Sequence, residues 1–307
     1  MKEKVKDTND TPQNILCDVA SGCSRSAAGQ MPNSAALKKT IRRTRAQVSH
    51  VPVVPSSLNE LDLPAVYCKT EKGADFLLYD SGSTSSNDRI LVFGTNENLN
   101  FLQNSKHWFA DGTFKTSPNL FTQLYTIHAI VKNENVPVLF ALLPSKSEAI
   151  YKKLFNAIKS LNPQLNPQTI LLDFERAAMN AFLASFPTAS VRGCFFHFSQ
   201  AIWRKIQAIG LQAKYANDGD FALEIRQLAA MAFLPPQDVI SSFEMLMDTD
   251  FFQEINLVPL VDYFEDTWIG RIARNGRRRE PLFPIEMWNC FSSVVDGLPK
   301  TNNSIEG

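Results

Sequence analysis

From residue 107 onward, apolar and polar positions alternate in short blocks that name their own elements. KHWFADGTF, FTQLYTIHAIV and VPVLFALLP are three β-rich runs, separated by the turn material TSPN and KNEN, and predict an antiparallel meander. SEAIYKKLFNAIKSL follows with Ile150, Leu154, Phe155, Ile158 and Leu161 on one helical face and Ser147 as N-cap. TILLDF reads as a short buried strand and ERAAMNAFLASF as a helix stopped by Pro187. SVRGCFFHF reads as a fifth strand and SQAIWRKIQAIG as a further helix. The order βββαβαβ predicts an α/β fold: a mixed sheet with helices on its faces.

The flanks have different patterns. Residues 1–60 are polar and rich in Ser, Asn, Lys and Arg, with one helical patch around SAALKKTIRRTRAQ, and otherwise read as a largely disordered basic segment and linker. Residues 61–106 hold the strand-like runs ADFLLYD and DRILVFG on either side of the loop SGSTSSND, a small β-containing region. The core pattern occupies 107–210. Over 211–297 it turns helical, in DFALEIRQLAAMAFL, PQDVISSFEMLMD, VDYFEDTWIGRIA and IEMWNCFSSVVDG, with NGRRREPLFP as a basic loop. Residues 298–307 read as a loop entering a last helix, capped by Asn302 or Asn303. Ending on the first turn of a helix suggests a truncated product or fragment.

Composition narrows the function classes. The chain has 307 residues with 31 basic and 31 acidic side chains, so bulk charge does not make it a polyanion binder. Local patches are what matter for nucleic acid: residues 1–50 carry nine Lys/Arg against four Asp/Glu, and Arg271, Arg274, Arg277, Arg278 and Arg279 crowd one loop. Five dispersed cysteines argue against a secreted disulfide scaffold. The N-terminus lacks an apolar signal region and no stretch reaches membrane-spanning length, so an intracellular protein without membrane contact is expected.

Two acids interrupt or end apolar stretches, Asp111 in HWFADGTF and Asp173 in TILLDFERAAM; a third, Glu306, lies in TNNSIEG. Burying such an acid is costly unless it holds something positive. Three acids can hold two divalent ions, and two ions can cut and rejoin phosphodiesters. Ligand chemistry in open α/β sheets gathers at the carboxyl ends of strands, where Asp173 falls. Each acid also has a plainer reading: Asp111 as the aspartate of an Asp-Gly turn, Asp173 as a helix cap. Glu175 reads as a first-turn helix acid.

Cys194 and His197 form a C-x₂-H pair, either a zinc half-site lacking a second pair or a buried Cys beside a satisfied His. Arg204 and Lys205 read as solvated charges or as phosphate contacts, and Trp203 as core rather than a stacking platform. The arginine cluster at 271–279 reads as solvated surface or DNA-backbone contact. KKTIRRTR, Lys38 to Arg45, reads as a nuclear localisation signal, a DNA arm or a solvated helix face.

DGTFKTSPNLFTQLYTIHAIV, PVLFALLPSKSEAIYKKLF, ILLDFERAAMNAF, GCFFHFSQAIWRKIQ and TNNSIEG together resemble the transposase domain of Mutator-like elements, from about Trp108 to the C-terminus. The resemblance implies a DDE transposase with an RNase H-like core and an all-α insertion before the last acid. It implies Asp111, Asp173 and Glu306 as the catalytic, metal-binding triad, 62 and 133 residues apart. It implies two Mg²⁺ ions, with Mn²⁺ as the alternative, acting on double-stranded DNA at element ends and target. It places the Cys-x₂-His motif near the catalytic centre, with His197 assisting at the scissile phosphate or DNA strand. A homo-oligomer and a nuclear location follow as expectations. An upstream zinc module of the FLYWCH type, carried by many relatives, finds no match: Cys17 and Cys23 lack a His pair, and His50 is the only early histidine. The competing readings are a non-catalytic DNA-binding or regulatory protein derived from a transposase, and an unrelated RNase H-like nuclease, which would not need the long helical insertion.

Overall fold

The structure, a computed structural model, describes residues 10–24, 31–48, 55–82, 87–132 and 134–301. It separates into two units, Met1–Pro55 and Ser56–Gly307. In the first unit, helix α1 (Pro12–Ser21) and helix α2 (Ser34–Val48) pack through Ile15, Leu16 and Ile41. The α2 helix lies on the predicted helical patch. The α1 helix does not: the sequence there reads as linker, yet Thr11 caps the helix by accepting from Asn14 N–H at 3.2 Å, with Pro12 in its first turn. Two apolar residues, Ile15 and Leu16, find their partner only after α2 folds back, which no local pattern reveals.

The second unit is built on one seven-stranded mixed sheet in the order β1-β2-β5-β4-β3-β6-β7. Its strands are β1 (Leu77–Asp80), β2 (Leu91–Phe93), β3 (His107–Thr113), β4 (Gln123–Val131), β5 (Glu134–Leu143), β6 (Thr169–Leu172) and β7 (Ser190–Gly193). The predicted meander is present as β3-β4-β5, antiparallel throughout. The two upstream runs extend it, β2 pairing antiparallel with β5 and β1 with β2. On the other side β6 and β7 join parallel to β3, as strands fed by helical crossovers must. Helix α3 (Asn96–Asn104), closed by a Thr95–Asn98 capping box, precedes β3.

Helix α4 (Glu148–Leu161) matches its predicted span, and Ser147 Oγ accepts from Ile150 N–H as the N-cap. It pairs with helix α5 (Arg176–Ser185) over one sheet face, where Trp108 meets Phe182 and Phe186 edge-on at 6.2 and 5.3 Å between ring centres. Helix α6 (Phe195–Ala208) follows β7.

Here the sequence expectation needs correction. The run SVRGCFFHF is not one strand: β7 ends at Gly193, Cys194 is the N-cap, and FFHF is the first turn of α6. Phe198, Ile202 and Ile206 recur every fourth residue and are buried. That helical period outweighs the strand preference of the phenylalanines.

Beyond residue 210 come helices α7 (Gln212–Asn217), α8 (Gly219–Ala230), α9 (Val239–Met247), α10 (Val258–Phe264), α11 (Ile285–Trp288) and α12 (Phe291–Val295). The last predicted helix is split in two at Asn289, whose amide donates to Leu234 O at 2.8 Å. The α10 helix continues as a π-turn over Glu265–Ile269 and stops at Gly270, whose φ of 90° a side chain rarely permits. This helical section shares one hydrophobic core with the sheet. Phe198 of α6 stacks on Trp288 at 4.8 Å, and Phe174 meets Trp268 and Phe283 at 4.7 and 5.0 Å. No helix among the described residues is long and apolar enough to cross a membrane.

Candidate metal centre

Strand register explains how two acids distant in sequence come together. The β3 and β6 strands run parallel with Trp108 beside Ile170 and Phe109 beside Leu171. Two residues further along each strand, on the same face, stand Asp111 and Asp173. The ladder ends at Phe109 and Leu171, and Asp173 has already left β6. The carboxylates therefore sit where the strands part, at the carboxyl end of the sheet. The third member arrives from α6: His197 lies in the helix's first turn, and Cys194 N–H, donating to Leu172 O at 2.8 Å, ties that turn to β6. One donor atom from each of Asp111, Asp173 and His197 lies within 4.8 Å of the others.

The electrostatics of the trio are those of a site short of positive charge. Burial raises the Asp173 carboxyl to about 6; His197 opposes the shift, and the Asp111 carboxylate adds to it. For His197, burial works against the charged form, but the Cys194 sulfur and the carboxylates of Asp173 and Asp111 prevail and raise its pKa. His197 Nδ1 is buried and has no hydrogen-bond partner among the described residues. Two carboxylates and an imidazole, one of them costly to ionise and one with an orphaned nitrogen, suit a divalent cation: oxygen donors for Mg²⁺ or Mn²⁺, with imidazole better suited to the latter. A zinc finger needs a second pair at close spacing, and no such group is present among the described residues.

Further residues enclose a cleft of about 580 Å³ around Asp173 and His197, among them Gly112, Phe114, Lys146, Glu175, Gln200, Arg204, Tyr263, Trp268 and Phe283. His197, Gln200 and Arg204 are spaced three and four residues apart, so one face of α6 runs along the cleft. Lys205 is not among the cleft-lining residues and has its ammonium 5.5 Å from the Tyr263 ring centre, and Trp203 packs against Tyr215 at 5.1 Å, as core. Glu175 occupies the N-cap position of α5, but its side chain makes no cap bond and pairs instead with Lys146 at 3.3 Å. Gly193 faces the ring of Phe174; a Cβ there would overlap the ring of the residue adjoining Asp173.

A polar layer lies beneath. Gln123 is fully buried; its amide donates to Tyr151 Oη at 2.8 Å, while its Oε1 and the Tyr125 hydroxyl have no hydrogen-bond partner among the described residues. On β4, His128 is buried opposite Phe109, and burial lowers its pKa although Asp111 pulls it up. Sequence reasoning passed over Lys146 and His128, and placed Gln200 on the helix without a role. Lys146 sits in a Ser-Lys-Ser turn and His128 in a strand, with nothing in the one-dimensional pattern to single them out.

Two of the loop's five arginines are engaged with their own surroundings. Arg271 pairs with Asp262 at 2.9 Å and with Asp266. Arg278 pairs with Glu244 at 2.6 Å and Glu265 at 3.1 Å, and donates to Gly270 O. An isolated bridge, Ile272 to Arg278, closes the loop into a small hairpin. Arg274, Arg277 and Arg279 make no ion pair among the described residues. Glu306 lies outside the described residues, as do Asn302 and Asn303.

Residues 107–201 match the family model of the MULE transposase domain. That segment is similar to the transposase domain of Mutator-like elements. The match takes in Asp111, Asp173, Cys194 and His197, and stops before Arg204 and the helical section. No curated protein matches the chain.

Proposed function

We propose that the chain is a DDE-type DNA transposase by design of its site: a metal-dependent polynucleotidyl transferase with an RNase H-like core, acting on double-stranded DNA in the nucleus. The observation that carries this reading is the meeting of Asp111, Asp173 and His197 within 4.8 Å at the carboxyl end of a parallel strand pair, inside the segment that matches the transposase family. The strand order supports the core assignment, with an antiparallel meander continued by two parallel strands on the β3 side.

In this reading Asp111 and Asp173 hold the divalent ions, and Glu306 supplies the third carboxylate. Lys300 O accepts from Phe195 N–H at 2.9 Å, which fastens Lys300 to the first turn of α6, the turn that carries His197. Bound Mg²⁺ or Mn²⁺ would activate water or a 3′-hydroxyl and steady the leaving oxygen. The protein's own part is to hold the acids on rigid strand ends and to place His197 at the scissile phosphate. It also offers the N-terminus of α6 to that anion. The helical section walls the cleft with Tyr263, Trp268 and Phe283, and so limits water around the reacting phosphate.

The decisive experiment is Mg²⁺- or Mn²⁺-dependent cleavage of labelled DNA by the chain and by Asp173→Ala. A loss of about 10²–10³-fold in rate is expected, the scale of removing one preorganised charge-stabilising group. Equal activity of the two proteins sinks the catalytic reading. DNA binding without cleavage by either protein would favour a non-catalytic, transposase-derived DNA-binding protein. His197→Ala should retain the fold while losing strand transfer.

A further inference from the structure

Lys146 stands at the mouth of the same cleft in a setting unlike that of an ordinary surface lysine. Its ammonium lies 4.0 Å from the centre of the Phe114 ring. A carboxylate oxygen of Glu175 holds it from another side at 3.3 Å. Phe114 is itself 45% exposed, an unusual state for a large apolar ring; the ammonium covers part of its face. An ammonium has three donors, and here one ring and one carboxylate leave donor capacity over. The side chain remains 42% exposed and lines the cleft with Asp173 and His197.

Two cations therefore belong to the cleft, from different walls. Lys146 precedes α4 and is gripped by the residue that starts α5. Arg204 is carried by α6, two turns beyond His197, about 10 Å along the helix. Asp173 and His197 line the same cleft, so a strand whose phosphate met them would carry its neighbouring phosphates along walls that bear these two cations.

We propose that Lys146 is a phosphate-contacting residue: it binds the backbone of the DNA strand entering beside Asp111 and Asp173, on the α4–α5 side of the cleft, opposite Arg204. The assignment rests on the transposase reading above and extends it to a residue that sequence patterns did not indicate. The Phe114 ring and Glu175 act as its positioning residues, holding the ammonium in one place and so lowering the entropy lost on meeting a phosphate.

The test measures binding of a fluorescein-labelled DNA duplex with a single-stranded end to the full chain, across a series of NaCl concentrations. Calcium replaces magnesium so that strands stay intact. Lys146→Gln is expected to weaken binding and to reduce the slope of log affinity against log salt by about 0.7–0.9, the loss of one phosphate contact. Lys146→Arg should keep the wild-type slope, and Phe114→Leu should weaken binding at low salt without unfolding the chain. Lys69→Gln, which removes a lysine paired with Asp75 outside the cleft, is the control and should leave the slope unchanged. Thermal melts of each variant confirm the fold. Wild-type binding with an unchanged slope in Lys146→Gln overturns the Lys146 assignment alone. A wild-type chain that binds no DNA overturns the functional reading and this proposal together.

Discussion

The carboxylate site and the arginine loop are both concentrations of like charge, and the structure treats them in opposite ways. At the sheet end, Asp111 and Asp173 are brought together with one imidazole, and among the described residues no arginine or lysine is bonded to either. Burial, with the Asp111 carboxylate adding to it, makes Asp173 hard to ionise. In the loop, Arg271 and Arg278 each find two carboxylates, and Arg278 also caps a backbone carbonyl. Uncompensated charge held on rigid elements indicates a place for a ligand. Compensated charge on a hairpin indicates a fastening. The comparison teaches that density of charge along the chain is a poor guide to function until partners are known.

The comparison can be broken most severely at Gly270, where the loop is locked to α10. The φ of 90° and the close approach of Arg279 O leave no room for a side chain. Gly270→Ala is expected to cost about 3 kcal/mol or more, read as a lower urea midpoint. A loss below about 1 kcal/mol would mean that the hairpin is not fastened there.

Next in size is the pH dependence set by Asp173. Its folded pKa of about 6 lies above the usual carboxylate value of 3.8, so the native state binds more protons at Asp173 than the unfolded chain between those values. The Asp173 contribution to stability then falls as pH rises from about 4 to about 6, by at most about 3 kcal/mol, and changes no further above. Asp173→Asn should flatten that fall. Wild type should regain melting temperature on adding Mn²⁺ at pH 7.5 (~neutral, above the folded pKa), and Asp173→Asn should not. Equal pH profiles for the two proteins would show that the site carries no charge deficit.

Within the loop, Arg278→Ala should cost about 2 kcal/mol, since it leaves Gly270 O and two carboxylates without their donor. Arg274→Ala should stay within about 0.5 kcal/mol. If instead both variants leave stability unchanged and both weaken DNA binding, the loop is an interface and not a fastening. A small effect of opposite sign is expected at Tyr125→Phe. Its hydroxyl is buried beneath the site without a hydrogen-bond partner among the described residues, so its removal should stabilise the fold by up to ~1 kcal/mol. A loss of stability measured by urea denaturation would reveal a partner, such as an ordered water.

Much of the architecture was legible because it depends on local periodicity. The meander, the α4 span with its Ser147 cap and the strand before Asp173 follow from alternation of two and of about 3.6 residues. The misread stretch was SVRGCFFHF, where consecutive aromatics satisfy a strand pattern and a helix start equally well. Phe198, the residue that faces the core, shows its period only with Ile202 and Ile206 in the next two turns. The α1 helix was missed for a related reason: its apolar pair is short, and its partner Ile41 lies more than twenty residues away.

The sequence by itself determined which acids were candidates, because a carboxylate set into an apolar run is costly to bury and stands out without any coordinates. It also determined the resemblance that joined those acids to one chemistry. Tertiary structure alone decided that Asp111 and Asp173 are neighbours, since the parallel pairing of β3 with β6 joins residues 62 apart across a connection that holds β4, β5 and α4. It alone decided that Lys146 belongs to their cleft, and that Arg271 and Arg278 are engaged elsewhere. The reason is physical: burial cost and periodicity are properties of a residue and its near neighbours. Charge compensation depends on which groups lie within a few ångströms, and only the folded chain specifies that.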